Sequence, residues 1–167
     1  MGAEAMSAAA LWAFSLAFYA RPGVAPACLA CQDGAGADVN ILLLLLWRAR
    51  EGAALTASAI AAVEARAAPW RHEIVAPLRG LRRRIGKTAM PDLHRHLAAA
   101  ELEAEQLAQA GFFATSAILE EAPARDAATA ADAALEAYEQ ILGRVLPAQA
   151  KTALIDALRA YPPDAPR

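Results

Sequence analysis

At 167 residues the chain has the length of one ordinary domain, and its 16 Lys and Arg against 18 Asp and Glu give a formal charge of −2, which excludes any bulk electrostatic attraction to nucleic acid or an anionic membrane. The composition is 57% hydrophobic but only 6% aromatic, and so rich in alanine that helices are favoured over sheets. Two cysteines, Cys28 and Cys31, make no disulfide framework and fit a reducing cytoplasm.

The first apolar stretch, Ala8 to Ala20, lacks the basic lead of a secretory signal and carries Glu4 instead, so it reads as a buried first helix capped by Ser7 and ended by Arg21-Pro22-Gly23. A second helix is predicted from Val24 to Gln32, broken by the Asp33 to Gly36 turn. Asp38 then caps the most distinctive segment of the chain. From Ile41 to Trp47 every residue is apolar, far short of a membrane span but apolar on all sides of a helix, which requires burial inside protein.

A fourth helix begins near Thr56, with Leu55, Ile60 and Val63 as its apolar positions, and is expected to stop at Pro69. Ile74, Leu78, Leu81 and Ile85 form the inward stripe of the next helix, and Leu93, Leu97, Ala100, Ala104 and Leu107 that of a second one ending at Gly111. These two are predicted to form an antiparallel hairpin. A short helix from Phe112 to Glu120 is expected next, then one starting at Asp126 or Thr129 and ending at Gly143. Pro147 opens the last helix at its first position, and Tyr161-Pro162-Pro163 closes it. No strand-like alternation occurs.

Charge is segregated: residues 66 to 96 hold eight Lys or Arg against two acids, and residues 97 to 139 hold nine acids against one Arg. Such blocks neutralise each other across a helix pair or present opposite faces to partners. Arg79, Arg82, Arg83, Arg84 and Lys87 make the densest basic surface, a candidate contact for an acidic protein. Nucleic acid is a weaker partner because only Trp70 offers a stacking ring nearby. Anionic lipid is likewise a weaker candidate, and alanine-rich helices leave a homo-oligomer open.

A second polar set, Arg21, Gln32, Asp33, Asp38 and Asn40, brackets the apolar helix and is a candidate lining for a pocket over Trp47; the plainer reading has Asp38 capping, Asp33 turning and Arg21 pairing with one of them. Cys28-x-x-Cys31 lacks the preceding strand of a redox motif and the second pair of a zinc site, so core packing is preferred. His94 and His96 point about 200° apart on a helix, which rules out a shared metal ion. No nucleophile elbow, phosphate loop or cofactor motif occurs, so nothing here argues for an enzyme, a cofactor or a metal.

The segments LWAFSLAFYARPGVAPACLACQDGAGADVNILLLLLW at 11 to 47, WRHEIVAPLRGLRRRIG at 70 to 86 and LHRHLAAAELEAEQL at 93 to 107 resemble a proteobacterial family of small hypothetical proteins, a domain of unknown function. That resemblance implies a small cytoplasmic bacterial protein, all-helical, with no assigned reaction, cofactor or catalytic residue. Cys31 departs from it, since an aliphatic residue is typical there.

The resulting expectation is all-α: one domain over residues 1–167, a compact irregular bundle of about six to eight helices around a central buried helix near 38–50, with loose ends at 1–6 and 162–167. Its function is expected to be protein interaction through the basic helix face. The alternatives are a small-molecule or enzymatic pocket near Arg21, Asp38 and Asn40, and anion binding through Arg79 to Lys87.

Overall fold

Four of the helices start where a side chain can take over an orphan backbone N–H. In the computed structural model, which describes residues 7–117, 121–123 and 126–162, Ser7 accepts from Ala10 N, Asp38 from Asn40 N, Thr56 from Ala59 N and Asp126 from Thr129 N. Each such cap contributes about 1 kcal/mol. They open α1 (Ala8–Tyr19), α3 (Val39–Arg50), α4 (Ala57–Trp70) and α7 (Ala127–Leu142). The remaining helices are α2 (Val24–Ala35), α5 (Ala76–Ile85), α6 (Pro91–Ala117) and α8 (Ala148–Arg159). The expected loose ends lie outside the described residues, except Pro162, whose carbonyl accepts from Arg50.

Every residue from Ile41 to Ala49 is buried, so α3 is the central helix its apolar run requires. It packs against α1, α2, α6 and α7, and the six aliphatic side chains from Ile41 to Leu46 are each worth about 1.5–3 kcal/mol of burial. The result is a compact helical bundle. Around α3, Phe14 and Phe18 of α1 meet Tyr161 edge-on, and Leu135 and Tyr138 of α7 complete the core.

Several expectations fail. Pro69 does not end α4. It lies inside the helix, where it cannot donate to the preceding turn, and a π-helical turn, Arg71–Val75, follows it and runs directly into α5. Helix thus continues from residue 57 to residue 85, giving seven continuous helical runs among the described residues.

Gly111 does not end α6 either. The helix runs on through it, and a Cβ there would sit 3.0 Å from Nε of the Arg66 side chain, which lies over this glycine. Part of the separate helix expected from Phe112 to Glu120 is the end of α6, and residues 118–120 lie outside the described residues. A two-stranded antiparallel ladder, β1 (Ala53–Leu55) with β2 (Glu121–Pro123), ties the loop after α3 to the loop after α6. Three-residue strands are too short to carry a period. Pro147 is the N-cap of α8, one position before the place expected for it.

The α5/α6 hairpin is antiparallel as expected, since contacts run from Arg66 with Gly111 through Trp70 with Ala104 to Arg82 with Glu101. Its facing is not as expected. α5 has no buried residue, Leu81, Leu93 and Leu107 are 40%, 43% and 57% exposed, and the buried face of α6 carries Glu101, Ala104, Ala108, Gln109, Phe112 and Ser116. No helix is long and apolar enough to cross a membrane among the described residues.

Candidate functional site

The two polar sets picked out along the chain meet in space. Where α1, α2, the start of α3, α5 and α6 come together they leave an open cleft of about 360 Å³, and Gln32 and Asn40 line it together with Arg79, Arg82 and Arg83. Its apolar wall comes from Trp12, Leu16, Tyr19, Leu29, Leu43 and Leu102. That mixture of apolar surface and a few placed polar groups suits a small-molecule site.

Beneath the cleft runs a chain of hydrogen bonds. Ser15 Oγ donates to Gln109 Oε1 at 3.0 Å, and Gln109 Nε2 donates to Asn40 Oδ1 at 2.9 Å. Gln109 is almost wholly buried, so it costs stability unless both ends of its amide are used, and both are. Asn40 N in turn donates to Asp38 Oδ1 at 2.9 Å.

Asp38 leads away from the cleft into a closed cluster. Its Oδ2 accepts from Arg71 at 2.9 Å, and Arg71 donates its other terminal nitrogen to Glu64. Tyr138 Oη donates to Glu64 at 2.9 Å and accepts from the Asp38 backbone N–H at 3.0 Å. Arg71, the first residue of the π-helical turn, reaches Asp38 at the start of α3 and stays within reach of Glu64 two turns earlier. Burial pushes the Tyr138 phenol well above its ordinary range, so it stays protonated and can donate. A small cavity of about 30 Å³ lies between this cluster and the cleft, bordered by Gln32, Asp38, Asn40, Arg71, Arg79 and Glu105.

On the far wall, the charged blocks of the two hairpin helices do pair. Arg79 donates to Glu101 at 2.7 Å and to Glu105 at 2.8 Å, and Arg82 Nε donates to Glu101 at 2.6 Å. Burial would raise the Glu101 carboxyl, but the hydrogen bonds from Arg82 and Arg79 outweigh it and hold the group below its ordinary value. Glu105 has only one such bond, and burial wins: its carboxyl is pushed up despite Arg79. Burial also pushes up the Tyr19 phenol on the opposite wall, so it remains a neutral hydroxyl.

The other singled-out residues lie elsewhere. Arg21 pairs with neither Asp33 nor Asp38: it donates to Ala160 O at 3.2 Å and stacks on the Tyr161 ring. Asp33 is exposed outside the cleft, and Arg84 and Lys87 are exposed beyond its lining. Trp47 lies seven residues beyond Asn40, about 10 Å further along the axis of α3, buried against Phe113 and Arg48. Cys28 and Cys31 are buried free thiols in the core, pushed up to about 12 and about 11 chiefly by desolvation, which keeps them protonated. Among the described residues no group of three His, Cys, Asp or Glu could hold a metal ion.

Ser15, Tyr19, Arg71, Glu101, Glu105 and Gln109 were not picked out from the sequence as site residues. The acids had a weak signal in their i, i+4 spacing opposite the basic helix; Ser15 and Gln109 had none, because a lone polar residue on an apolar face looks the same whether it is buried or not.

A family model described as "Protein of unknown function (DUF2390)" matches residues 10–112. No curated protein and no solved structure matches the chain.

Proposed function

Since the chain belongs to the DUF2390 family of proteins of unknown function, and the matched residues contain the whole lining of the cleft, we propose that it is a non-enzymatic small-molecule-binding protein, a single helical domain working in the cytoplasm. The observation that carries this reading is the convergence of Gln32 and Asn40 with Arg79, Arg82 and Arg83 on one cleft that also has an apolar wall. Two of the basic residues first considered as an outer face, Arg79 and Arg82, instead turn toward this cleft and are half-buried there.

A fragment screen read by amide chemical shifts tests the reading. Hits should cluster on the backbone amides of Ser15, Asn40, Leu43 and Gln109. A screen in which shifts concentrate on residues 84–87, or in which the cleft amides never move, would remove it.

The competing reading is docking of an acidic protein on α5. What favours it is the exposure of Arg84 and Lys87, which lie outside the cleft lining on that helix. Co-purification with and without nuclease, comparing the wild type with an Arg84→Glu, Lys87→Glu variant, separates it from the cleft: a partner lost by the variant and weakened by salt would support the outer face. The exposed Leu81, Leu93 and Leu107 leave pairing with a second copy as a further arrangement, and sedimentation that stays monomeric at high concentration removes it.

A further inference from the structure

We infer that the ligand of this cleft is an amphipathic organic anion, its acid group held by Arg82 and Arg83 and its apolar body laid across the leucines at the mouth. The inference rests on the cleft being a binding site at all, and adds to it the chemical class of what binds.

The apolar half of the argument comes from the rim. Leu16 on α1, Leu29 on α2 and Leu102 on α6 are 49%, 43% and 48% exposed, yet all three line this one opening. Scattered exposed leucines need no explanation, but three from three helices around a single mouth form a continuous surface that gains by being covered. Trp12 and Tyr19 extend it along the same wall.

The charged half comes from the donors left over. Arg79, Arg82 and Arg83 face two carboxylates, Glu101 and Glu105, leaving one net positive charge on the cleft wall. Arg82 spends Nε on Glu101, while its two terminal nitrogens and the whole Arg83 guanidinium make no further hydrogen bond to the described residues. Guanidinium forks of this kind match a carboxylate, sulfate or phosphate oxygen pair. Glu101 holds Arg82 in place, so less side-chain freedom is lost when an anion arrives. The Gln32 amide and Asn40 Nδ2 likewise make no hydrogen bond to the described residues and can serve polar groups between the two ends. A neutral hydrocarbon leaves the guanidinium groups unused, and a small inorganic anion leaves the leucines uncovered; only a molecule with both parts uses the whole cleft.

The test uses the full chain with 8-anilinonaphthalene-1-sulfonate as a fluorescent reporter, displaced by decanoate, decyl sulfate and decanol below their micelle-forming concentrations, with amide shifts of Asn40, Leu43 and Gln109 confirming the location. The two acids should displace the reporter about tenfold better than decanol, the scale of one charge-assisted contact. Arg82→Gln with Arg83→Gln should abolish that preference; Arg83→Gln alone, at an exposed position, should weaken it without unfolding the protein. Leu16→Ser with Leu102→Ser should weaken all three. If decanol competes as well as decanoate at the cleft, or the arginine variants keep the full preference, the anion assignment is wrong while the cleft remains a binding site. If no probe moves the cleft amides, both fall together.

Discussion

Two polar clusters, which send Asp38 and Arg71 on one side and Arg79 on the other to the border of one small cavity, are built in opposite ways. The Asp38–Arg71–Glu64–Tyr138 cluster is closed: each carboxylate has a guanidinium or hydroxyl donor, and the phenol both donates and accepts. The Arg79–Glu101–Arg82 ladder is open, since it ends on unused guanidinium nitrogens and an apolar mouth. A closed cluster has no capacity left for a ligand and can only hold helices together. An open one keeps donors aimed at a space, which costs stability unless something fills it.

That contrast predicts separable effects. The largest is expected from Arg71→Ala, which leaves Asp38 and Glu64 facing each other without their shared cation. Breaking such a pair costs about 3–5 kcal/mol when fully buried, and because Arg71 is 23% exposed we expect about 3 kcal/mol by urea denaturation at neutral pH, with probe affinity per folded molecule unchanged. Loss of binding at unchanged stability would mean that the closed cluster is not purely structural.

Tyr138→Phe is a milder break. It strands the buried Asp38 N–H and removes a donor from Glu64, for about 1–2 kcal/mol in the same measurement. A neutral outcome would mean that water takes over both bonds.

Acid should act on the open cluster in two stages. The carboxyl of Glu105, faced by Arg79 and Arg82 on α5, Glu101 on α6, Asp38 at the start of α3 and Tyr19 on α1, is raised, so it takes up a proton first as pH falls. Losing one negative charge beside the guanidinium groups should improve binding of a permanently ionised sulfonate by about threefold. A Glu105→Gln variant should bind that well at neutral pH and show no such rise. Glu101 behaves oppositely: its carboxyl is lowered, so its stabilising effect is complete above its ordinary value of 4.5 and is lost only as pH falls through the depressed value. Binding should therefore improve before stability declines, and the reverse order in a pH series of thermal melts and titrations would contradict both assignments.

The smallest effect is expected at Arg84→Ala with Lys87→Ala. Both side chains are exposed and outside the cleft, so stability should stay within about 0.5 kcal/mol and probe binding should not move. A large loss of probe binding in this variant would shift the site to the outer face of α5.

The sequence by itself determined where four of the helices start and which one lies in the middle. The caps at Ser7, Asp38, Thr56 and Asp126 are local chemistry, and a run apolar on every side has nowhere to go but inside. It also carried the pairing of the basic and acidic helices, because opposite blocks joined by a short turn are neighbours in any compact arrangement. Only the tertiary structure decided which face of α6 turns inward. Its leucine stripe predicted Leu93 and Leu107 inside, but two arginines reaching across from α5 draw Glu101 under cover, and Ser15 and Asn40 do the same for Gln109. The cleft was beyond sequence reasoning for the same reason. Gln32 and Asn40 meet Arg79 to Arg83 across about forty residues of chain, and that meeting depends on a π-helical turn and a crossing of helices that no local pattern records.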